Sequence, residues 1–416
     1  MIENITRYNF WNGNAPELGF PRTSYTGNLE RYIGNRLIKV LVGQRRSGKS
    51  YIMRQLAWHL ISKGTPPNNI LYINKEYIEY QFLQSHDDLE QLFIEYKTRL
   101  APQGKIYLFI DEVQYIDQWE RFVNSHSQDF TEQCEIFLSG SNSKLLSGEL
   151  ATLLSGRYVQ FEILPYSFAE YCGISNIPQN RDSYLRYIHT GGMPELFNLP
   201  DEDMKRNYIS SLKDTIMLRD IVQRYKIKEA KLLEDIFCYL INNAASLISI
   251  TNIIHWFDSK KRKTNYETLS AYIGYLKNSF LIHQVERYNI RGKEAIAGNQ
   301  KYYANDLSYK NYLYSGVGYG DGWLLENAVF LELKRKGYAV WAGNIERHEV
   351  DFVAKRGDET IYCQVTLSLN EAKTYEREYN ALKSIPDHFR KYVVTLDDYP
   401  IPSDEGIEHL CPWQIP

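Results

Sequence analysis

The stretch Gly43-Gln44-Arg45-Arg46-Ser47-Gly48-Lys49-Ser50 constrains this chain more than any other. It satisfies G-x-x-x-x-G-K-[ST] at every fixed position. Its surroundings give the pattern meaning. Leu37, Ile38, Val40, Leu41 and Val42 precede it, an apolar run suited to a buried parallel strand. Ile52, Leu56 and Leu60 follow it at helical spacing. Strand, glycine loop and helix together make a phosphate cradle, with backbone N–H groups and a helix N-terminus facing the anion. Gly43 and Gly48 admit backbone angles and close approaches that a side chain would block. The expected binding stretch runs Gly43, Gln44, Arg45, Arg46, Ser47, Gly48, Lys49, Ser50, Tyr51. Lys49 is expected to reach the β- and γ-phosphates, and the Ser50 hydroxyl to bind Mg²⁺. The expected cofactors are ATP and Mg²⁺.

A second signal supports the first. Ile106-Tyr107-Leu108-Phe109-Ile110 is an apolar strand that ends in Asp111-Glu112. After a full phosphate loop, such a strand end is the Walker B arrangement. Asp111 is expected to hold Mg²⁺, and Glu112 to polarise the attacking water. Cys134 to Ser139 forms another buried strand with a polar end, Gly140-Ser141-Asn142. Asn142 or Ser141 is placed to hold a lytic water. The alternative is a helix cap, since Ser143 precedes Lys144, Leu145 and Leu146. Arg157, just before the strand Tyr158 to Leu164, is a candidate cation for the transferring phosphate, in cis or from a neighbouring subunit. A plain surface arginine is the competing reading.

Composition sets the limits. At 416 residues the chain has room for two to four domains. A net charge of -3 means that nucleic-acid binding must rest on a local patch. The five cysteines are far apart without a C-x-x-C pair, which argues against a disulfide framework or a zinc site. The first residues lack the apolar core of a signal peptide, and no apolar run approaches membrane-spanning length. The expectation is a cytoplasmic protein with no membrane segment.

From Val40 to Tyr171 the chain resembles the AAA-type P-loop ATPases of bacteria and archaea. The resemblance rests on Gly43 to Ser50, Phe109-Ile-Asp-Glu-Val-Gln114 with Trp119, Ser139-Gly-Ser-Asn142, Leu154-Ser-Gly-Arg157 and Pro165-Tyr-Ser-Phe-Ala-Glu170. Gly191-Gly192-Met193-Pro194-Glu195 matches as well. The branch it is most similar to adds a C-terminal nuclease-like domain. The resemblance implies an α/β fold: a parallel-sheet ATPase core over 1–170, a helical lid over 171–225, a winged helix over 226–300 and a nuclease-like domain over 301–416. It also implies that the strand of Asp111 and the later sensor strand lie beside the P-loop strand.

Past the lid, Lys231 to Val285 reads as a winged helix-turn-helix. Leu269, Tyr272, Ile273 and Leu276 mark its third helix, and Phe280 to Val285 its first wing strand. Lys260-Lys261-Arg262-Lys263 lies in the turn before that helix, where four cations suit DNA phosphates. A solvated turn on a protein-packing domain is the equal alternative. The segment from Trp323 to Asp397 has the order helix, three strands, helix, strand. It resembles the PD-(D/E)xK nuclease fold. Glu326 and Asp351 match that family's metal acids, while Gln364-Val365-Thr366 replaces its Glu-x-Lys. A neutral Gln364 is a poorer Mg²⁺ ligand than a carboxylate, and Thr366 brings no ammonium to the developing charge. Lys373 on the following helix is the one relocated lysine in view. The expectation is a nuclease fold with a degenerate site.

Three readings follow. The first is an ATPase whose cycle moves a DNA- or protein-interacting module. The second is a slow nucleotide switch or scaffold with a protein partner. The third is an ATP-dependent nuclease, against which Gln364 and Thr366 count.

Overall fold

A computed structural model of the protein describes residues 2–140, 152–314, 320–346 and 348–416. Two compact units divide the chain, Met1–Ile163 and Leu164–Pro416.

In the first unit five strands form one parallel sheet: β1 (Ile38–Val42), β2 (Ile70–Asn74), β3 (Ile106–Asp111), β4 (Cys134–Gly140) and β5 (Tyr158–Glu162). Their order is β2-β3-β4-β1-β5. Every residue of β1 and β2 is buried, which accounts for their mostly apolar sequence; Lys39, the charge among them, is ion-paired with Glu135 of β4. The expected neighbours of the P-loop strand need one correction. β4 lies beside β1, but β3, which carries Asp111, is one strand further out. The carboxylate therefore faces the loop across β4, and the side chain at the end of β4 comes between them.

The helix Lys49–Ser62 buries Ile52, Met53, Leu56 and Leu60 against Leu41, Phe109 and Phe137 of the sheet. The Phe109 and Phe137 rings stack at 4.6 Å under it. This apolar seat fixes the helix, and so fixes the loop that enters it. The chain before β1 is tied to the same helix. Gln55 Nε2 donates to the carbonyls of Leu18 (2.7 Å) and Phe20 (2.8 Å), and its Oε1 accepts from the Arg22 amide (3.0 Å).

The second unit opens with three helices, Phe168–Ser175, Arg181–Thr190 and Glu202–Thr215; the last continues as a π-helical stretch, Ile216–Val222. Gly191 and Gly192 form a tight turn after the second of them. The Gly192 amide donates to Asp306 Oδ2 at 2.7 Å, and a Cβ on Gly192 would lie 2.3 Å from the Tyr166 carbonyl. The glycine pair is thus required by packing. Next come the helices Ala230–Asn242, Ile250–Ser259 and Tyr266–Asn278. They share a core of Leu232, Ile236, Leu240, Ile253, Phe257, Leu269, Ile273 and Leu276.

A seven-stranded mixed sheet follows, in the order β12-β11-β10-β9-β8-β6-β7. Its strands are β6 (Ile282–Asn289), β7 (Glu294–Ala304), β8 (Ala339–Ile345), β9 (His348–Arg356), β10 (Glu359–Val365), β11 (Arg390–Val394) and β12 (Ile407–Leu410). The helices Asp321–Arg335 and Ala372–Lys383 pack on it. The β6–β7 hairpin corrects the expected organisation. β6 pairs in parallel with β8, so the wing strand expected at Phe280 to Val285 overlaps a strand of the C-terminal sheet. The boundary expected between 300 and 301 falls inside β7. Strand β12 had no counterpart in the sequence reading. Among the described residues no helix is long and apolar enough to cross a membrane.

Candidate functional site

The loop after β1 is shaped by two glycines. Gly43 has φ 145°, and a Cβ there would lie 2.4 Å from the Ile163 carbonyl oxygen. Gly48 has φ 99° and precedes the first helical residue, Lys49. Arg46 also sits in the left-handed region at φ 67°, a conformation that costs a non-glycine residue about 1 kcal/mol. The loop is thereby wrapped around the start of the helix Lys49–Ser62. Lys49 is buried, and its ammonium donates to the carbonyls of Gly43 and Gln44, both at 2.9 Å. Arg45 instead turns outward, to Glu76 at 3.1 Å and to the Tyr115 hydroxyl at 3.3 Å. The exposed Tyr51 ring carries the Arg54 guanidinium at 4.2 Å.

Sequence reasoning missed one contributor here. Arg22 is almost fully buried, and its Nη1 donates to the Ser47 carbonyl at 3.0 Å. Its guanidinium lies 4.6 Å from the Tyr25 ring centroid. Only the cluster of arginines and aromatics before β1 hints at this role, and nothing in the sequence singles out Arg22 among them.

Across β4 lies the acidic pair. Asp111 has no exposed surface. Its Oδ2 accepts from the Tyr72 hydroxyl (2.9 Å) and from Asn74 Nδ2 (3.0 Å), and its Oδ1 accepts from the Ser139 hydroxyl. The Ser139 oxygen in turn accepts the Glu112 amide at 3.2 Å. Ser139, at the end of β4, thus joins both carboxylate residues to the strand beside the loop. Glu112 takes a left-handed conformation, φ 58°, unusual for a residue with a side chain. Its carboxylate accepts from Gln114. Burial pushes the Glu112 carboxyl above its usual range; Lys49 pulls it back and Asp111 adds to the rise. The lysine of the loop and the acid of β3 therefore feel each other's charge.

The site fits a magnesium nucleotide by its donor set. Two glycine positions leave room for close approach, an ammonium and a helix N-terminus supply positive potential, and a hydroxyl at Ser50 with a buried carboxylate at Asp111 supplies hard oxygen ligands. Asn142 and Ser141 lie outside the described residues. Arg157 corrects an expectation. It is exposed and precedes the first residue of β5, at the opposite end of the sheet from the loop. The five residues of β5 span roughly 16 Å at about 3.3 Å each. Arg157 therefore does not reach the loop in cis, which leaves the plain surface arginine or a role from a neighbouring subunit.

The second unit has its own polar cluster. Asp351 N donates to Gln364 Oε1 (2.7 Å), Val365 N donates to Asp351 Oδ2 (2.8 Å), and Gln364 Nε2 donates to Glu378 Oε2 (2.6 Å). Glu326 Oε1 accepts from Lys301 (2.9 Å) and from the Tyr303 hydroxyl (2.8 Å). Lys301 also reaches Glu349 at 2.6 Å and Asp351 at 3.5 Å. Glu326, Asp351, Gln364 and Thr366 line one groove. Lys301, Glu349 and Glu378 were not anticipated. Their signal lies in tertiary placement, since β7 brings Lys301 in from before the helix–strand pattern of Trp323 to Asp397. Lys373 is exposed on its helix, among no described partners. Burial pushes Asp351 up to about 8, with Glu326 adding to the rise and Lys301 opposing it. Burial likewise raises Glu326.

The cationic turn is less free than its sequence suggests. Arg262 is ion-paired with Asp235, while Lys260 lies 4.0 Å from the Trp256 ring centroid. Lys260, Lys261 and Lys263 are exposed.

Residues 35–172 match the model of an AAA domain, and residues 181–318 match a domain of unknown function (DUF8612). An uncharacterized protein of Haemophilus influenzae is 36% identical over 400 residues, covering 95% of this chain and 98% of that protein. An uncharacterized protein of Methanocaldococcus jannaschii is 31% identical over 397 residues, covering 90% of this chain and 84% of that one. Among solved structures, the Walker-type ATPase paby2304 of Pyrococcus abyssi aligns with a TM-score of 0.44 and 16% identity, over 71% of this chain and 95% of its own. That likeness is too slight to bear on activity or partners. Residues 35–172 are an AAA domain on a P-loop ATPase fold, and the chain as a whole belongs to the family of these Haemophilus and Methanocaldococcus proteins.

Proposed function

We propose that the protein is a magnesium-dependent ATPase whose nucleotide cycle acts on the module formed by its second unit. One observation carries the reading. A buried lysine stands in a glycine-shaped loop after β1, and a buried Asp111–Glu112 pair at the end of β3 is held by Ser139 of the strand between β1 and β3. The bound nucleotide would supply a phosphoanhydride bond, with its metal neutralising the oxygens. The chain's own residues would do the rest. The loop amides and Lys49 hold the β- and γ-phosphates, which requires Lys49 to leave the carbonyls of Gly43 and Gln44. Ser50 and Asp111 offer the metal oxygens, and Tyr72, Asn74 and Ser139 fix the Asp111 carboxylate in place. Glu112, raised by burial and kept beside Lys49, receives the proton of the attacking water.

The second unit is read as a winged helix joined to a PD-(D/E)xK-like layer. The isolated bridge between Ile248 and Gln300, which ties the turn before the helix Ile250–Ser259 to β7, supports the winged helix. The helix–strand order and the convergence of Glu326, Asp351 and Gln364 support the nuclease-like layer. Lys260, Lys261 and Lys263 are the proposed phosphate contacts on duplex DNA.

ATP turnover by the full chain, with and without duplex DNA, tests the reading. Stimulation by DNA is the expected result. Tight ATP binding with negligible turnover would replace this reading with that of a nucleotide switch.

A further inference from the structure

A nuclease-like layer implies a divalent metal among Glu326, Asp351 and residue 364, and the residues present do not fit one. We propose that the Lys301 ammonium permanently takes the place of that metal, so that the groove is a metal-independent surface.

Lys301 stands on β7 with its side chain 3% exposed. An ammonium has three donors and no acceptor. Three carboxylates match them: Glu326 at 2.9 Å, Glu349 at 2.6 Å and Asp351 at 3.5 Å. The oxygens a metal would need are engaged as well. Glu326 Oε1 accepts from both Lys301 and Tyr303. Asp351 Oδ2 accepts the Val365 amide. Gln364 turns its carbonyl oxygen to the Asp351 amide and its NH₂ to Glu378, leaving a donor where the family's metal-binding acid would stand. Glu378 is in turn clamped by Arg377, 2.5 Å from its other oxygen.

Mg²⁺ needs six oxygens near 2.0–2.1 Å in octahedral array. It cannot share these carboxylates with an ammonium lodged at hydrogen-bonding distance from two of them and ion-paired with the third. A lysine kept for chemistry on a phosphate would have to present its ammonium to the groove. This one is enclosed, and its donors are spent on the protein. The sequence carries the same exchange: the lysine and the acid missing at 366 and 364 are matched by a lysine on β7 that the helix–strand pattern does not include.

Manganese binding to the full chain, followed by electron paramagnetic resonance without nucleotide, tests the proposal separately from the ATPase reading. Wild type should show no manganese site that Asp351→Asn removes. Lys301→Met keeps the stem and deletes the charge. It should gain manganese affinity at least roughly tenfold, by loss of one close repulsion, and Asp351→Asn should abolish that gain. A wild-type site lost in Asp351→Asn overturns the proposal, and this arm decides alone if Lys301→Met does not fold. A folded Lys301→Met that takes up no manganese overturns it equally.

Discussion

Arg22 Nη1 donates to the Ser47 carbonyl at 3.0 Å, so a residue from before the first strand sets the direction of a peptide inside the phosphate loop. The peptide unit is planar and trans. With the Ser47 C=O held toward Arg22, the Gly48 N–H points the opposite way, into the cup of the loop. Losing a charged hydrogen bond of this kind costs about 1.5–3 kcal/mol. Arg22→Ala is expected to weaken ATP binding at least about tenfold in a calorimetric titration, with the circular dichroism spectrum unchanged. Arg22→Lys should fall between, since an ammonium keeps the charge but not the planar fork. Equal affinity in all three proteins would remove Arg22 from the site.

Glu112→Gln separates binding from turnover. The amide keeps the volume and leaves Asp111 with its three donors, but it cannot take a proton from water. ATP affinity should stay near wild type while turnover falls by about 10²–10⁴. Turnover within a few-fold of wild type would hand the base role to another group.

The cationic turn offers three exposed lysines without an acidic partner among the described residues, in place of four unpaired cations, because Arg262 already pairs with Asp235. Neutralising Lys260, Lys261 and Lys263 together should reduce the slope of log K against log salt on duplex DNA by up to roughly 2.7, at about 0.9 per phosphate. Neutralising Arg262 as well should add little to the slope. An unchanged slope in the triple variant would reassign this helix cluster to protein packing.

Asp306 gives a pH-dependent test within the second unit. Its carboxylate accepts the Gly192 amide at 2.7 Å and the Ser308 amide at 2.9 Å, and burial pushes its carboxyl above the usual range. The folded chain therefore holds this proton to higher pH than the unfolded chain. Its contribution to stability is full below the ordinary carboxyl range and is lost as pH rises toward the folded value. Asp306→Asn leaves one buried amide without an acceptor, at a cost of about 1–3 kcal/mol. Thermal unfolding should show a larger gap between wild type and variant at pH 5 than at pH 8. A gap that widens with pH would contradict the assignment.

The nucleotide core was legible because its signals are local. A loop fixed by two glycines and a strand ending in Asp-Glu each specify backbone and chemistry within a few residues of each other. Ser139 stood in the quoted motif, yet its place between Asp111 and Glu112 follows from strand order, which spacing does not encode. Arg22 and Lys301 were illegible for the same reason: each acts on residues distant in sequence, Ser47 in one case and Glu326, Glu349 and Asp351 in the other. The extended run expected from Phe280 to Val285 overlaps β6, but β7 was not anticipated, and the pairing of β6 with β8 follows from strand order that local sequence does not encode. Arg157 shows the reverse error, a residue type suited to the chemistry at the wrong end of a parallel strand.

That hairpin has a consequence for modularity. β6 joins the C-terminal layer through β8, while β7 carries both the bridge to Ile248 and the lysine among the acids. A chain ended after residue 300 would lose β8 and expose the β6 edge as an open template for other strands. A chain begun after it would lose its outermost strands. The helix cluster and the C-terminal layer therefore cannot be traded as independent cassettes, by recombination or at the bench; whatever exchanges one must carry the other along.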